Sequence, residues 1–460
     1  MDERPIIALC TPQGSGAIAL IRVCGTEAIE LVDKMARLSS GQSLTKQKTH
    51  TIHHGHIIDQ LSPPMIIDEV LFLLMRTPRT FTSQDTVEIT CHNNPFIINQ
   101  IIKQAISLGA HQAQRGEFTK RAVLNQKIDL LQAEAINDLI SAQTELALKK
   151  SMAQHKGTLS HQVQQVEDGL ISLLTIVEAS FEFLDEEQQD VAFDNIIRQK
   201  LKRILEKTNT VLESFSAQKQ IRQGIKIALL GSVNVGKSTL FNALVKHDRA
   251  IVTNVPGTTR DAIETTVHKN GSFWLLVDTA GLRQTDHAIE QKGIERAWQE
   301  AAQSDIILLV HEAQTPMTEH ETKLYNKIKK EYVKKVIIVA SKVDQVEQPE
   351  SPPIDSTNTI FLSAKTKIGL DKLEQAIEEK IKELFQAGQA PFLLNQRQHN
   401  IISQLHKELA AIETESDRAI QHEVLAHQLK QQLELVAQLT GKEISERVMN
   451  SVFSTFCVGK

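Results

Sequence analysis

The stretch 225–239 reads IKIALLGSVNVGKST, and it decides the fold of the middle of the chain. A mostly apolar, strand-like run ends at Gly231, and Gly236, Lys237 and Ser238 follow at P-loop spacing, directly before a helical pattern. Backbone N–H groups of such a loop converge on phosphates at a helix N-terminus, where the helix dipole favours negative charge. We therefore expect Lys237 to reach the β- and γ-phosphates of a nucleotide and the Ser238 hydroxyl to bind Mg²⁺.

The length and composition of the chain limit the classes of protein to which it can belong. With 460 residues, of which 41% are hydrophobic and 23% charged, it is a folded chain of several domains. A net charge of −5 argues against broad electrostatic binding of nucleic acid, although a local basic patch stays open. No apolar run approaches the roughly 20 residues of a membrane span. The start MDERPIIALC is a poor signal peptide, and four cysteines without a CxxC pair fit reduced thiols. We expect a cytoplasmic protein with no membrane contact.

The first part of the chain, residues 1–118, is predicted to be a compact α+β domain. Strand-like runs and helical patterns alternate there, with Gly and Pro between them. The strand-like runs cover 17–23, 66–74 and 86–90, and the helical patterns cover 26–38 and 95–108.

The rest of the chain combines long helices with an α/β part. Residues 119–220 and 387–460 carry apolar stripes at helical spacing, which predicts long amphipathic helices. Residues 221–386 alternate strand-like and helical segments, which predicts a largely parallel, doubly wound sheet inserted into the helical domain. The predicted strands cover 225–230, 273–278, 306–310, 336–340 and 360–362.

Four motifs follow the P-loop in order, and they predict guanine as the base. The motifs are Gly257-Thr258-Thr259-Arg260-Asp261, Asp278-Thr279-Ala280-Gly281, Ser341-Lys342-Val343-Asp344 and Ser363-Ala364-Lys365. The first two offer a threonine, a carboxylate and the N–H of Gly281 to Mg²⁺ and the γ-phosphate. Asp344 can accept both the N1–H and the exocyclic amine of guanine, a donor pair that adenine lacks. Backbone N–H groups of the fourth motif can reach the base carbonyl.

The motif set resembles the Era-like GTPases, with two departures. Ser341 stands where that group usually has Asn, so the amide contacts to the base and to the P-loop are expected to be lost. Leu282 stands where many GTPases have a water-orienting Gln, so catalysis must come from elsewhere. Asn234 could hold a monovalent cation that stabilises transition-state charge. Asn also favours turns in any loop, so a purely structural role stays open.

Together with the helical blocks on both sides, GSVNVGKST, GTTRD, DTAGLR and the terminal CVGK resemble the MnmE (TrmE) family over essentially the whole chain. The resemblance implies a potassium-stimulated GTPase that modifies tRNA. With an FAD-containing partner, MnmG (GidA), that family builds an aminomethyl or carboxymethylaminomethyl group on carbon 5 of the wobble uridine. It implies a homodimer, and a heterotetramer with the partner. Residues 1–118 would be a tetrahydrofolate-binding-like dimerisation domain, 119–220 and 387–460 the helical domain, and 221–386 the GTPase domain.

The resemblance also assigns roles to residues of the GTPase domain. Glu290 would act on the attacking water through other water, with Asn234 and Lys237 as further catalytic groups. The potassium ligands would be Asn234, Thr253, Val255 and Thr258, and Mg²⁺ would bind Ser238 and Thr259. The nucleotide-binding set comprises Asn234, Val235, Gly236, Lys237, Ser238, Thr239, Thr253, Asn254, Val255, Pro256, Gly257, Thr258, Thr259, Asp278, Thr279, Ala280, Gly281, Ser341, Lys342, Asp344, Ser363, Ala364 and Lys365.

A second site is implied in the N-terminal domain, where the family binds a formyl-tetrahydrofolate. The matching positions are Arg22, Glu88, Lys127 and Lys460, with Cys457 near them as a candidate for chemistry. Paired hydrogen bonds and charge suit a pterin ring and a glutamyl tail. The chain departs from the family at the pairs Asn93-Asn94 and Ser83-Gln84, where the family has Gly-Gly and Gly-Glu.

Other interpretations of the sequence stay open. The chain could be a non-catalytic GTP-switch scaffold in ribosome or RNA maturation, as other Era-like proteins are. The terminal Cys-Val-Gly-Lys could be a prenylation box of a membrane-anchored GTPase, but Gly459 and Lys460 do not match its usual residues. The lysines at 327–335 favour a solvated helix face over a tRNA contact. The histidines at 53–56 favour a short strand over a metal site.

Overall fold

The computed structural model describes residues 4–12, 14–59, 63–183, 191–213, 215, 218–232, 234–246, 263–269, 272–278, 298–346, 359–386, 390–416 and 421–459. The chain forms two compact units. The first unit comprises Met1–Asn137, His155–Leu205 and Gln404–Lys460, and the second comprises Asp138–Gln154 and Glu206–Ser403. Within these described ranges, the structure has no helix whose length and apolar character would let it cross a membrane. The three boundaries between the four segments expected from the sequence stay predictions.

The first unit contains a seven-stranded sheet in the order β3-β4-β5-β6-β2-β1-β7. Neighbouring strands are antiparallel except β1 and β7. One face buries an aliphatic core against two helices of the same domain, which agrees with the predicted α+β class. The strands are β1 (Ile6–Leu9), β2 (Ile18–Cys24), β3 (Ala36–Leu38), β4 (Thr51–Ile58), β5 (Ile66–Met75), β6 (Thr86–His92) and β7 (His111–Gln112).

The second unit contains a six-stranded sheet in the order β13-β12-β11-β8-β10-β9. All neighbouring strands are parallel except β9 and β10, so the predicted doubly wound sheet is confirmed. The strands are β8 (Ile225–Leu230), β9 (Ile263–Lys269), β10 (Ser272–Asp278), β11 (Ile306–Glu312), β12 (Val336–Ser341) and β13 (Thr359–Phe361). The strand β8 lies between β10 and β11, and its aliphatic side chains are among those that form the core.

The helices account for the long apolar stripes of the sequence. In α6 the stripe of Leu159, Val163, Val166, Leu170 and Leu173 is buried, as an amphipathic helix requires. The helices are α1 (Ala28–Asp33), α2 (Pro95–Ser107), α3 (Glu117–Leu124), α4 (Leu130–Ser141), α5 (Glu145–His155), α6 (Thr158–Phe183), α7 (Val191–Glu213), α8 (Gln218–Gln223), α9 (Lys237–Lys246), α10 (Glu319–Glu331), α11 (Leu370–Gln386), α12 (Gln396–Ser416), α13 (His422–Thr440) and α14 (Glu446–Phe453). Short 3-10 turns cover Leu44–Lys46 and Val343–Gln345.

The helix predicted over 26–38 is wrong in its second half, where the structure has strand β3. This strand pairs with β4 at Gly55, and a Cβ added to Gly55 would meet the Arg37 carbonyl oxygen and lie 2.9 Å from Leu38 Cα. The close pairing therefore requires glycine in β4. A long-range strand contact overrides the helical spacing of the local sequence.

We expect Gly55→Ala to loosen the pairing of β3 with β4, because the new methyl group collides with backbone rather than with a movable side chain. Overpacking of this kind costs about 1–3 kcal/mol. Hydrogen exchange of the β3 and β4 amides measures the local opening. Gly16→Ala is the matched control, since its methyl group meets only Asn93 Nδ2, at 3.4 Å. Unchanged exchange in Gly55→Ala would contradict the steric argument.

Candidate functional site

The P-loop joins the end of β8 to the start of α9, and it holds a lysine against its own backbone. Lys237 Nζ donates to the carbonyl oxygens of Gly231 at 2.7 Å and Ser232 at 2.5 Å. The residue is only 6% exposed, so its ammonium group is fixed within the loop. Asn234 and Gly236 have φ angles of 68° and 94°, in the left-handed region that lets the loop turn tightly. This geometry places a fixed positive charge beside the first turn of α9.

The loop lies directly on strand β11. A Cβ added to Gly231 would meet the carbonyl oxygen of Val310 and would lie 3.1 Å from the Tyr325 hydroxyl. Only glycine allows the loop to approach this strand so closely. The first glycine of the motif is therefore required by packing as well as by the turn.

Ser341 connects the end of β12 to the P-loop. Its hydroxyl lies 2.5 Å from the Val235 carbonyl oxygen and 2.9 Å from that of His311, and the residue is 3% exposed. A hydroxyl has one proton, so it donates to these two oxygens in turn or shares the proton between them. A serine has no amide group, but its hydroxyl makes a contact with the P-loop that the sequence did not predict.

The candidate base-binding residues follow β12 and β13. Lys342 has a left-handed φ of 60°, and its ammonium lies 3.1 Å from Glu312 Oε2. Asp344 is exposed in the next turn, and a hydrogen bond from Ser363 lowers the pKa of its carboxyl group. Asp344 is therefore an ionised acceptor at neutral pH. Ser363 is fully buried and also accepts the backbone N–H of Thr366 at 3.2 Å.

A buried histidine adjoins this region at the end of β11. His311 is 5% exposed, and its Nδ1 lies 3.2 Å from the Glu312 carbonyl oxygen. Its Nε2 has no hydrogen-bond partner among the residues that the structure describes. Burial lowers the pKa of His311, against a smaller raising effect of the Glu312 hydrogen bond, so the ring is held neutral.

The structure describes only some of the predicted nucleotide ligands. Ser238 and Thr239 lie in the first turn of α9, and Asp278 ends β10 beside Leu229 of β8. The other expected ligands and the expected catalytic carboxylate lie outside the described residues. They are Thr253, Asn254, Val255, Pro256, Gly257, Thr258, Thr259, Thr279, Ala280, Gly281 and Glu290.

The first unit brings together several residues of the second predicted site. Arg22 and Glu88 are directly opposite in β2 and β6, and Arg22 Nη2 lies 2.7 Å from Glu88 Oε1. Arg22 Nη1 also donates to the Gly459 carbonyl oxygen at 3.5 Å, and its guanidinium lies 5.4 Å from the Phe118 ring centre. Lys127 is exposed just after α3, and Lys460 lies outside the described residues.

The segment Cys457–Gly459 packs back onto the α+β domain. The Cys10 thiol donates to the Gly459 carbonyl oxygen at 3.2 Å, and burial raises the pKa of Cys10. The backbone N–H of Gly116 donates to the Cys457 carbonyl oxygen at 3.3 Å, while the Cys457 side chain is exposed. Cys10 and Phe118 were not among the residues predicted for this site, and the end of strand β1 and helix α3 bring them to Gly459 and Arg22.

Three residues at the positions where the sequence departs from the family pattern make hydrogen bonds in the structure. Asn94 Oδ1 accepts the backbone N–H of Phe96 and caps α2, whose first residue is a proline. Asn93 Nδ2 donates to the Gly14 carbonyl oxygen at 2.9 Å. Gln84 Oε1 accepts a hydrogen bond from Arg121 at 3.3 Å.

The histidines at 53–56 lie in β4, as the strand interpretation predicts. His54 Nε2 lies 2.7 Å from Oε1 of Glu69, which belongs to the neighbouring strand β5. In the described part of the chain, no group of three His, Cys, Asp or Glu residues is arranged to hold a metal ion.

The doubly wound sheet and the glycine-bounded loop after β8 define a protein of the P-loop class. Family models match the chain in two places: the MnmE helical domain over residues 130–457, and the N-terminus of the GTP-binding protein TrmE over residues 5–127. The tRNA modification GTPase MnmE of Bacillus subtilis is 34% identical over 460 residues, covering 99% of each chain. That of Fervidobacterium nodosum is 35% identical over 464 residues, covering 100% of this chain and 98% of its own. The chain belongs to the MnmE (TrmE) family, as its motifs predict.

Solved structures resemble a smaller part of the chain. Aquifex aeolicus Era bound to GDP·AlF4⁻ is 27% identical, with a TM-score of 0.28, over 34% of this chain and 56% of its own. The G domain of the T. maritima FeoB iron transporter is 27% identical, with a TM-score of 0.25, over 34% of this chain and 98% of its own. Both TM-scores are low, and family membership rests on the family models and the full-length relatives.

The buried His311 predicts that the second unit loses stability on acidification. Burial holds the pKa of His311 below the ordinary histidine value, so the unfolded chain binds the proton more readily. The stability gained from the neutral ring is present above the unfolded pKa and is lost as the pH falls through the folded one. Thermal unfolding between about pH 7.5 and about pH 5.5 measures this loss, which should be smaller in His311→Gln. The same change at the exposed His161 is the control. A pH dependence of His311→Gln equal to that of the wild type would contradict the prediction.

Proposed function

We propose that this protein hydrolyses GTP and uses the hydrolysis in tRNA modification. The observation that carries the proposal is the fixed ammonium of Lys237, held by two loop carbonyls next to the start of α9. In a chain of the MnmE family, that charge would lie against the β- and γ-phosphates. The hydrogen bond from Ser341 to Val235 joins the expected base-binding strand to the same loop.

Guanine would be read by the turn after β12. The ionised Asp344 would accept the N1–H and the exocyclic amine, and backbone N–H groups at 363–365 would reach the base carbonyl. The Ser341 hydroxyl lies between two backbone oxygens, so we propose that it makes no contact with the base. Guanine preference would then depend on Asp344.

Two metal ions fit the chemistry of the loop. Ser238 with Thr259 would hold Mg²⁺, which neutralises phosphate charge. Asn234, with Thr253, the Val255 carbonyl and Thr258, would hold K⁺. Hard oxygen donors suit both ions, and the left-handed backbone at Asn234 places this residue at the tight turn of the loop. Glu290 would orient the attacking water, since Leu282 cannot.

The modification step would use the α+β domain. Arg22 and Glu88, together with Lys127 and Lys460, would bind a formyl-tetrahydrofolate as one-carbon donor, with Cys457 available for chemistry. Support comes from the adjacent guanidinium and carboxylate, which offer a donor edge and an acceptor edge in one place. The proposed partners are the FAD-containing MnmG and tRNA, in a cytoplasmic heterotetramer built on a homodimer. The proposed product is a modified carbon 5 of the wobble uridine.

A comparison of potassium with sodium tests the proposed GTP hydrolysis. We expect GTP turnover to be at least about tenfold faster in KCl than in NaCl, because a bound cation stabilises the transition-state charge. In Asn234→Ala the two rates should become equal, while GDP binding persists. Steady-state phosphate release in matched salts measures both. Rates that are equal in both salts for the wild type would remove Asn234 from the mechanism.

Nucleoside analysis of tRNA distinguishes the proposed role in tRNA modification from that of a non-catalytic GTP-switch scaffold. tRNA from cells that lack this protein should lose the modified wobble uridine. Re-expressed wild-type protein should restore it, and Glu290→Ala should not, although it still binds GTP. A scaffold that only switches conformation would give the opposite result for Glu290→Ala, with the modification intact. Liquid chromatography with mass spectrometry of tRNA digests distinguishes the two.

A further inference from the structure

One face of helix α10 contacts the start of the P-loop, and no motif of the sequence indicates this contact. Glu321 and Tyr325 are four residues apart, so they share a helix face. Glu321 Oε1 accepts a hydrogen bond from the Ser232 hydroxyl. The Tyr325 hydroxyl lies beside Gly231, where an added Cβ would be only 3.1 Å away. The helix therefore contacts both residues whose carbonyl oxygens hold Lys237.

The Glu321 carboxylate is fixed by the helix that carries it. Its Oε2 accepts the Thr318 backbone N–H at 2.7 Å and the Thr318 hydroxyl at 2.8 Å. The Thr318 hydroxyl in turn accepts the Glu321 backbone N–H at 3.2 Å, which completes a capping box. One carboxylate oxygen thus secures the start of α10, and the other secures Ser232. Both oxygens of this half-buried carboxylate therefore have hydrogen-bond partners within the protein.

Tyr325 closes the other side of the contact. It is 3% exposed, and its hydroxyl donates to the Val310 carbonyl oxygen at 2.9 Å. Burial raises its pKa to about 12, so the hydroxyl keeps its proton and stays a donor. The backbone of Gly231 is therefore enclosed between β11 and a ring that cannot move without breaking a buried hydrogen bond.

We propose that Ser232 and Glu321 are positioning residues for Lys237. The hydrogen bond between them fixes the Ser232 peptide, and the carbonyl oxygens of Gly231 and Ser232 then hold the ammonium in the orientation that the phosphates require. This role rests on the proposed GTP hydrolysis, and it adds helix α10 to the machinery of that reaction. The helix lies outside all four motifs that follow the P-loop.

The geometry predicts that hydrolysis suffers more than nucleotide binding when the contact is lost. Backbone N–H groups supply most contacts to bound phosphates in such a loop, and they do not depend on the Ser232 side chain. The lysine meets charge that grows on the phosphates in the transition state, so its misplacement affects kcat first. A hydrogen bond to a charged group is stronger than one between neutral groups, and partial loss of its effect gives about a tenfold drop in kcat.

Three variants of the full-length protein test the proposal. Ser232→Ala removes the donor and should lower kcat about tenfold, with the GDP dissociation constant within about threefold of wild type. Ser232→Thr keeps a hydroxyl and should restore most of kcat. Lys323→Gly weakens α10 at an exposed position but leaves the Ser232 and Glu321 side chains in place, and its kcat should stay near that of the wild type. GTP hydrolysis in KCl and fluorescent GDP titration provide the measurements.

The outcomes distinguish the positioning role from the proposed GTP hydrolysis on which it rests. A wild-type protein that binds no guanine nucleotide would overturn the proposed GTP hydrolysis itself. A wild type that hydrolyses GTP, with Ser232→Ala equally fast, would overturn only the positioning role. An equal loss of kcat in Lys323→Gly and Ser232→Ala would assign the effect to the stability of α10 and would also overturn the positioning role. If Ser232→Thr does not recover activity, the proposed role of the hydroxyl group at this position is wrong.

Discussion

The second unit depends on a buried ammonium group at the junction of β8 and α9. Lys237 is almost fully enclosed, and two backbone oxygens compensate its charge. Burying a charge without such partners would be very costly, so the backbone of the loop has little freedom. The surrounding structure serves this constraint: Gly231 packs onto β11, Ser341 reaches the loop from β12, and α10 supports it from one side. The described part of the P-loop is thus held in place by contacts from three neighbouring elements.

Much of this architecture could be predicted from the sequence, because local signals agree with the global fold. Strand β8 was predicted to the residue, since an apolar run, a glycine and a helix start mark its limits unambiguously. The parallel sheet followed from the alternation of strand and helix patterns. Strand β9 was not predicted, because its sequence IETTVHK is largely polar and its pairing with β10 is what makes it a strand. Likewise β3 depends on a partner that is distant in the sequence.

For the sites as well, sequence motifs identify individual residues but not the contacts between segments that are far apart in the sequence. Motif spacing located Lys237 and Ser341, but it did not reveal the hydroxyl contact of Ser341 with the P-loop, because the length of a side chain does not reveal which carbonyl oxygens surround it. Arg22 and Glu88 came from resemblance alone, and strand register explains their contact. The role of Glu321 was not visible, since a capping box looks the same whether or not its carboxylate has another partner. Contacts between segments far apart in the sequence are the part that pattern reasoning misses.

The hydroxyl of Ser341 has a consequence for ligands that fill only half of the nucleotide pocket. Because it joins the end of β12 to the loop after β8, the residues proposed to bind the purine and those proposed to bind the polyphosphate would belong to one rigid frame. A rigid frame rewards a molecule that spans both ends, since the second contact costs little additional entropy once the first has formed. Guanosine and pyrophosphate added separately should therefore bind far more weakly than their covalent combination. The affinity of an inhibitor would then increase most with a rigid link between its base-like part and its phosphate-like part.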